Sequence, residues 1–348
     1  MRLAFPMWRR GFAKVCGSVI IEAERRGHHA VLLHKPERKS GESVAESELA
    51  VFQAWGLNID PDWAWRSYDA IIGDPSVGEM ADLPAGPRYA LDFVWELRMR
   101  RAVLGATRCW STDYQRARFG EKVGHDGPVV GMTALDALSL VDPAAVRVKY
   151  SLGDKPILLL FALKFGGVGH LWRQTVYRWW HYHHLLRAIR KYADRRGMAV
   201  VVKTREKNHD PQTIHDIADR VIYDESLWPY TSAELVKTAA LVVHFQSGAV
   251  HEAAAAGVAQ VSIAIPKPYL RGYPGDDLVS TTQPRNIHAW PGVVQSVGYR
   301  DAAALFDTDR VWNTTVGYER VAYNERFNGP LDGKSAARVL DVVEERAR

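Results

Sequence analysis

The chain has 348 residues, 47% of them apolar, and no low-complexity tract, so it can hold two ordinary domains and wholesale disorder is excluded. With 45 basic and 40 acidic side chains the formal charge is +5, enough to suit an anionic ligand and too little to mark a nucleic-acid binder. The longest pure apolar run, Ile157 to Leu163, is too short to cross a bilayer, and the first ten residues lack the apolar centre of a signal peptide. A cytoplasmic protein is expected, free or on the inner face of a membrane. Cys16 and Cys109 have no metal-ligand spacing and read as small buried hydrophobes.

Arg2 to Met7 reads as a strand, Lys14 to Arg26 as a helix closed by Gly27, and Ala30 to His34 as a second strand. This order predicts a parallel, doubly wound unit with its ligand crevice at the C-terminal strand ends. The first loop carries only Gly11, so a G-x-G-x-x-G dinucleotide fingerprint is absent. Lys35 to Ser47 is a polar excursion before a helical segment at Glu48 to Trp55. Tyr68 to Asp74 is a strand that leaves Asp74 at its C-terminal edge, where a carboxylate can meet substrate or cap a turn. Arg88 to Glu96 is a strand or helix, Gln115 to Phe119 is helical, and Val129 to Leu138 closes the first half. A basic helical piece lies between Asp142 and Gly153. The domain boundary is placed there: residues 1–150, then 151–325, with 326–348 a terminal helix able to bridge the two.

Ile157 to Leu163 has the composition of a strand buried on both faces. Lys164 opens a turn with Gly166, Gly167 and Gly169, which permits close backbone approach. Trp172 to Tyr192 is a helix with an aromatic stripe. Its surplus of Trp and basic residues suits packing first, and contact with an anionic membrane or a lipid-linked acceptor second. His181 and His184 share a face without a Cys or carboxylate companion, so no metal site is expected. Ala199 to Lys203 is a strand, with Arg205 in its exit loop; Arg220 to Tyr223 is another, and Thr231 to Thr238 a helix. Leu241 to Val243 then forms a strand broken by Ser247 and Gly248, followed by a helix at Ala249 to Ala256, Gly257, and a strand at Ala259 to Ile263. A strand that ends in Ser-Gly and feeds a helix exposes N–H groups where an anion can sit. Glu252, one turn on, is placed to accept hydrogen bonds from vicinal hydroxyls. The same pattern equally fits a Ser N-cap on an alanine-rich crossover helix. Pro291 to Leu305 reads as a last strand and small helix, and a terminal helix begins near Lys334.

The Ser247-Gly248 turn, Glu252 and the Gly257-Val258 return into a strand resemble the C-terminal domain of GT-B nucleotide-sugar enzymes. These include many glycosyltransferases, CDP-glycerol glycerophosphotransferases and non-hydrolysing UDP-N-acetylglucosamine 2-epimerases. The passage from Val129 to Leu138 and the tail from Asp332 to Val339 resemble them too. The resemblance implies an α/β GT-B fold, two Rossmann-like parallel-sheet domains facing across a cleft. It implies phosphates at Ser247 and Gly248, ribose at Glu252, the base against Tyr223, and charge neutralisation by Lys164. Related enzymes often have Lys-x-His-Pro where this chain has Lys203-Thr204-Arg205. Arginine keeps a cationic fork for a diphosphate but is no base near neutral pH. The Ser-Gly-Gly turn and paired glutamates of the epimerases are replaced by Ser247-Gly248-Ala249 and the single Glu252. Asp136 carries over as a structural residue.

The reading that follows is a metal-independent glycosyltransferase that takes its sugar from a nucleotide-diphosphate donor, UDP ahead of CDP or GDP, with no tightly bound cofactor. Asp74 is the candidate base, ahead of Asp92 and Glu96, and Arg205 stabilises the leaving group. The acceptor is a glycan, a lipid-linked molecule or a small molecule in surface polysaccharide or glycoconjugate synthesis. Peripheral membrane contact and a homodimer stay open. The rivals are a CDP-polyol phosphate transferase, a 2-epimerase-like enzyme and a non-catalytic glycan-binding protein.

Overall fold

The computed structural model describes residues 1–7, 11–34, 57–60, 66–74, 83–91, 105–123, 127–163, 176–204, 212–223, 228–264, 285–312 and 316–348. The chain divides into two compact units. One comprises Met1–Leu140, Ser226–Tyr230 and Glu325–Arg348; the other comprises Val141–Glu225 and Thr231–Asn324. The described helices are α1 (Gly11–Arg25), α2 (Asp113–Val123), α3 (Ala137–Leu140), α4 (Pro143–Tyr150), α5 (Val176–Arg195), α6 (Gln212–Ile217), α7 (Thr231–Thr238), α8 (Ala249–Ala256), α9 (Ala302–Asp307), α10 (Gly317–Phe327) and α11 (Ser335–Ala347).

In the first unit, β1 (Arg2–Met7), β2 (His29–His34), β3 (Asn58–Asp60), β4 (Ala70–Gly73), β5 (Arg88–Leu91) and β6 (Thr107–Cys109) form one parallel sheet in the order β3-β2-β1-β4-β5-β6. Along α1, Cys16, Val19, Ile20 and Ala23 recur at helical spacing and pack on Leu3, Phe5, Leu32 and Ile72. Val339, Leu340 and Val343 of α11 join the same core. The intervening strand residues Ala4, Val31, Leu33 and Ile71 face the other way, against Tyr68 and Leu83. Both sheet faces are covered, which is why these strands read as apolar runs. Both cysteines are buried.

Two contacts fix local detail in this unit. A Cβ added at Gly17 would lie 2.5 Å from the Trp228 ring, so only glycine lets that indole rest on α1. Asp136 accepts from the backbone N–H groups of Ser335 (3.3 Å) and Ala336 (2.8 Å), filling the open donors at the start of α11. Burial pushes the Asp136 carboxyl up from its ordinary value, and these hydrogen bonds pull against that shift.

In the second unit, β7 (Ile157–Phe161), β8 (Ala199–Lys203), β9 (Arg220–Ile222), β10 (Leu241–His244), β11 (Ala259–Ala264) and β12 (Gln295–Gly298) form a second parallel sheet, ordered β12-β11-β10-β7-β8-β9. Leu158, Leu160, Val200, Val202, Val243 and Val261 meet Tyr182, Leu186 and Ile189 of α5 and Phe306 of α9. Ile157, Leu159, Val201 and Val242 meet Val146 of α4 and Leu235 and Val236 of α7. Part of the aromatic stripe is therefore core: Tyr182 is fully buried and its hydroxyl accepts from the Leu163 N–H at 3.2 Å.

The expected strand from Ile157 to Leu163 ends at Phe161, and Val129 makes only a single bridge to Trp110 rather than a strand. Trp172 and the segments at Lys35 to Trp55 lie outside the described residues. No helix among the described residues is long and apolar enough to cross a membrane.

Candidate functional site

Each sheet starts at its middle, builds outward on one side, then returns to build on the other. Counted from its own first strand, each runs 3-2-1-4-5-6, and the reversal opens a crevice at the C-terminal strand ends. In the second unit that point lies between β7 and β10. The register aligns Val243, Leu160 and Val202, so the next residues, His244, Phe161 and Lys203, end three neighbouring strands in one row. Lys203 also pairs with Ile222, which puts Tyr223 at the end of β9. Two inter-strand spacings, about 10 Å, separate the backbones of His244 and Lys203.

The chain leaves β10 through a tight turn. Gln246 takes a left-handed backbone with φ of 45°, a conformation that a side chain disfavours. The Ser247 N–H donates to Nδ1 of His244 at 3.2 Å, and the Ala249 N–H donates to the Ser247 hydroxyl at 3.3 Å. Gly248, not Ser247, is the N-cap of α8. Gly248 is exposed, and a Cβ added there would meet nothing within 4 Å among the described residues. Of the two amides expected to face an anion, the one on Ser247 is committed to His244. The Ser247 hydroxyl, for its part, caps the Ala249 N–H.

Glu252 is buried in the first turn of α8, and the Ser232 hydroxyl donates to its Oε1 at 3.3 Å. Ser232 is held in turn by the anchoring of α7. The Glu234 carboxylate there accepts from Lys149 Nζ at 2.9 and 3.0 Å and from the Tyr150 hydroxyl at 2.6 Å. The Lys203 ammonium is mostly buried and donates to the Thr204 carbonyl at 2.6 Å. The Tyr223 hydroxyl lies 3.4 Å from Nε2 of His215. Thus Lys203, Tyr223, Ser247, Gly248 and Glu252 share one end of one sheet. Lys164 and Arg205, and the weaker candidates Asp92 and Glu96, lie outside the described residues.

Asp74 follows β4, beside the reversal between β1 and β4 of the first sheet, and is 4% exposed. Burial, reinforced by the Asp74 charge, pushes the Cys16 thiol well above its usual value, so that thiol stays protonated.

Sequence reasoning missed the layer under the turn. His244, Gln260, Ser262 and His288 are all essentially solvent-inaccessible. Nε2 of His244 lies 3.2 Å from Oε1 of Gln260, and Nδ1 of His288 lies 3.3 Å from the Ser262 hydroxyl. A histidine ending a run of Leu241, Val242 and Val243 is a visible break in apolar character, and was the available signal. Among the described residues no group of three His, Cys, Asp or Glu side chains could hold a metal ion.

No family model matches the sequence, and no curated protein does either. Solved structures do match. UDP-GlcNAc 2-epimerase from Neisseria meningitidis, bound to UDP-GlcNAc, aligns over 99% of this chain and 100% of its own, with a TM-score of 0.59 and 12% identity. The Methanocaldococcus jannaschii UDP-GlcNAc 2-epimerase in complex with UDP-GlcNAc and UDP gives 0.58 and 13%, over 99% and 100% of the chains. The wall teichoic acid polymerase TagF gives 0.60 and 10%, over 100% of this chain and 89% of its own. The chain has the GT-B fold. Identities this low establish architecture alone, and the GT-B scaffold supports several chemistries.

Proposed function

We propose that this GT-B protein binds a UDP-sugar at the C-terminal edge of its second sheet and transfers the sugar to an acceptor hydroxyl. The observation that carries the reading is the turn after β10, where the exposed Gly248 and the Ser247 hydroxyl start α8 with Glu252 one turn on. A diphosphate at this turn would meet a backbone donor, a hydroxyl and the positive end of a helix. Lys203, with Lys164 and Arg205, which lie outside the described residues, would supply cationic charge. The ribose would reach Glu252 beside Ser232, and the base would lie near Tyr223. Uridine is favoured because GT-B structures similar to this chain hold UDP or UDP-GlcNAc.

In the reaction, the acceptor oxygen attacks the anomeric carbon and the bond from that carbon to the diphosphate oxygen breaks. The hydroxyl proton passes to a carboxylate, assigned to Asp74, and UDP leaves with its charge met by the donors named above. No step requires a metal.

A second reading, 2-epimerisation, is favoured by the same likenesses and opposed by the single Glu252 and by Ala249 in the turn. One experiment separates them. The protein is incubated with UDP-GlcNAc alone and then with candidate acceptors, and products are followed by NMR. UDP release that depends on an acceptor supports transfer; a C2-inverted UDP-sugar formed without acceptor replaces it with epimerisation. With a CDP-polyol as donor, release of CMP together with a polyol phosphate joined to the acceptor would instead indicate phosphoryl transfer.

A further inference from the structure

The polar layer under the turn has a role of its own. A backbone N–H can only donate, so the contact from Ser247 makes Nδ1 of His244 an acceptor. The ring proton therefore sits on Nε2 and donates to Oε1 of Gln260. The Gln260 side-chain amide then donates to the Val250 carbonyl in the first turn of α8, at 3.3 Å. One directed chain of hydrogen bonds links the turn to the end of β10, to β11, and back to the helix the turn opens. It closes around Gln246, the residue held in the left-handed conformation.

We propose that His244 is a positioning residue for the diphosphate turn: its neutral imidazole ties back the Ser247 amide, so that the Gly248 N–H and the Ser247 hydroxyl are the pair presented to an anion. This rests on the turn being the diphosphate site. Without the ring acceptor, the strained Gln246 relaxes and the two donors lose their common aim. An imidazolium would set N–H against N–H at Ser247, so the role needs the neutral ring. The surroundings enforce that form. The ring is fully buried, His288 lies 5.8 Å away centroid to centroid, His251 of α8 adds to the same field, and the ring's partner on β11 is the uncharged Gln260. Burial first, then His288, pushes the His244 pKa down to about 3.

The test compares wild type, His244→Leu and His244→Asn, each checked for folding by near-UV circular dichroism. Asn can accept an N–H from a residue just ahead of it in the chain, so it restores the acceptor without the ring. UDP affinity is measured by calorimetry, uridine affinity by NMR titration, and exchange of the Ser247 amide by hydrogen–deuterium NMR. The expected result for His244→Leu is UDP weakened about tenfold, uridine within about twofold, and at least about tenfold faster exchange at Ser247. His244→Asn should recover most of the UDP affinity. Equal losses for UDP and uridine in His244→Leu would make His244 a packing residue, and unchanged UDP affinity would overturn the inference outright. If wild type binds no nucleoside diphosphate, the nucleotide reading itself fails and takes this role with it. The Ser247 exchange rates still report in that case whether the ring clamps the turn.

Discussion

The two sheets share a strand order and differ in what finishes their central crevice. The first ends β4 on a carboxylate, Asp74, packed near a protonated thiol. The second ends β10 on a neutral histidine, followed by a turn with a serine hydroxyl and an exposed glycine. Topology alone gives both units the same kind of site. Under the proposed function the groups at the strand ends would take opposite tasks: Asp74 would accept a proton, and the turn after β10 would accept negative charge. Each variant below breaks one half of that contrast.

Asp74→Asn should have the largest effect. Under the transfer reading it removes the base and lowers turnover by at least about 100-fold, while UDP affinity stays within about twofold. Loss of UDP affinity in step with turnover would erase the division of labour. Gly17→Leu comes next, and probes only the first unit. The new side chain must displace the Trp228 ring, which overpacks α1 and destabilises that unit by about 2–3 kcal/mol in urea unfolding. A variant as stable as wild type would show that the indole rests elsewhere.

A third variant tests the second unit through pH. The folded pKa of His244 is depressed to about 3, so the stability it contributes is fully present above its ordinary value of 6.5. That stability is lost as the pH falls from 6.5 towards 3, because only the unfolded chain takes up the proton. Between pH 7 and pH 5 wild type should lose about 2 kcal/mol more than His244→Leu, measured by urea unfolding at both values. Parallel losses in the two proteins would mean that the ring titrates normally.

Much of this was legible in the sequence, and the remainder was hidden for physical reasons. Apolar runs such as Leu241 to Val243 and Ala199 to Val202 announce buried parallel strands, and Ala249 to Ala256 closed by Gly257 announces its helix. Asn58–Asp60 and Thr107–Cys109 were not legible, since three residues carry no period. Helix α10 was missed because its apolar positions are few among Glu319, Arg320, Asn324, Glu325 and Arg326. At the site, Ser-Gly followed by Glu252 marked the turn, but periodicity cannot reveal which backbone amides are already taken. His244 owes its role to Ser247 three residues ahead and to Gln260 on another strand, a relation that only the folded sheet supplies.

The smallest expected effect falls on Glu252, and it separates two uses of a buried carboxylate. Glu252 accepts from Ser232 and so links α8 to α7. If that were its whole task, Glu252→Ala would lower stability and affect every nucleotide alike. If it holds the ribose, the loss depends on the sugar. Removing a hydrogen bond between a carboxylate and a hydroxyl costs about 1.4 kcal/mol, or tenfold in affinity. UDP should then weaken about tenfold in Glu252→Ala, whereas 2′-deoxy-UDP, already short of one hydroxyl, should weaken less, so the preference of wild type for the ribonucleotide shrinks. Calorimetry with both ligands on both proteins gives the four affinities needed. A preference that survives intact would move the ribose away from α8, and with it the placement of the diphosphate at Ser247 and Gly248.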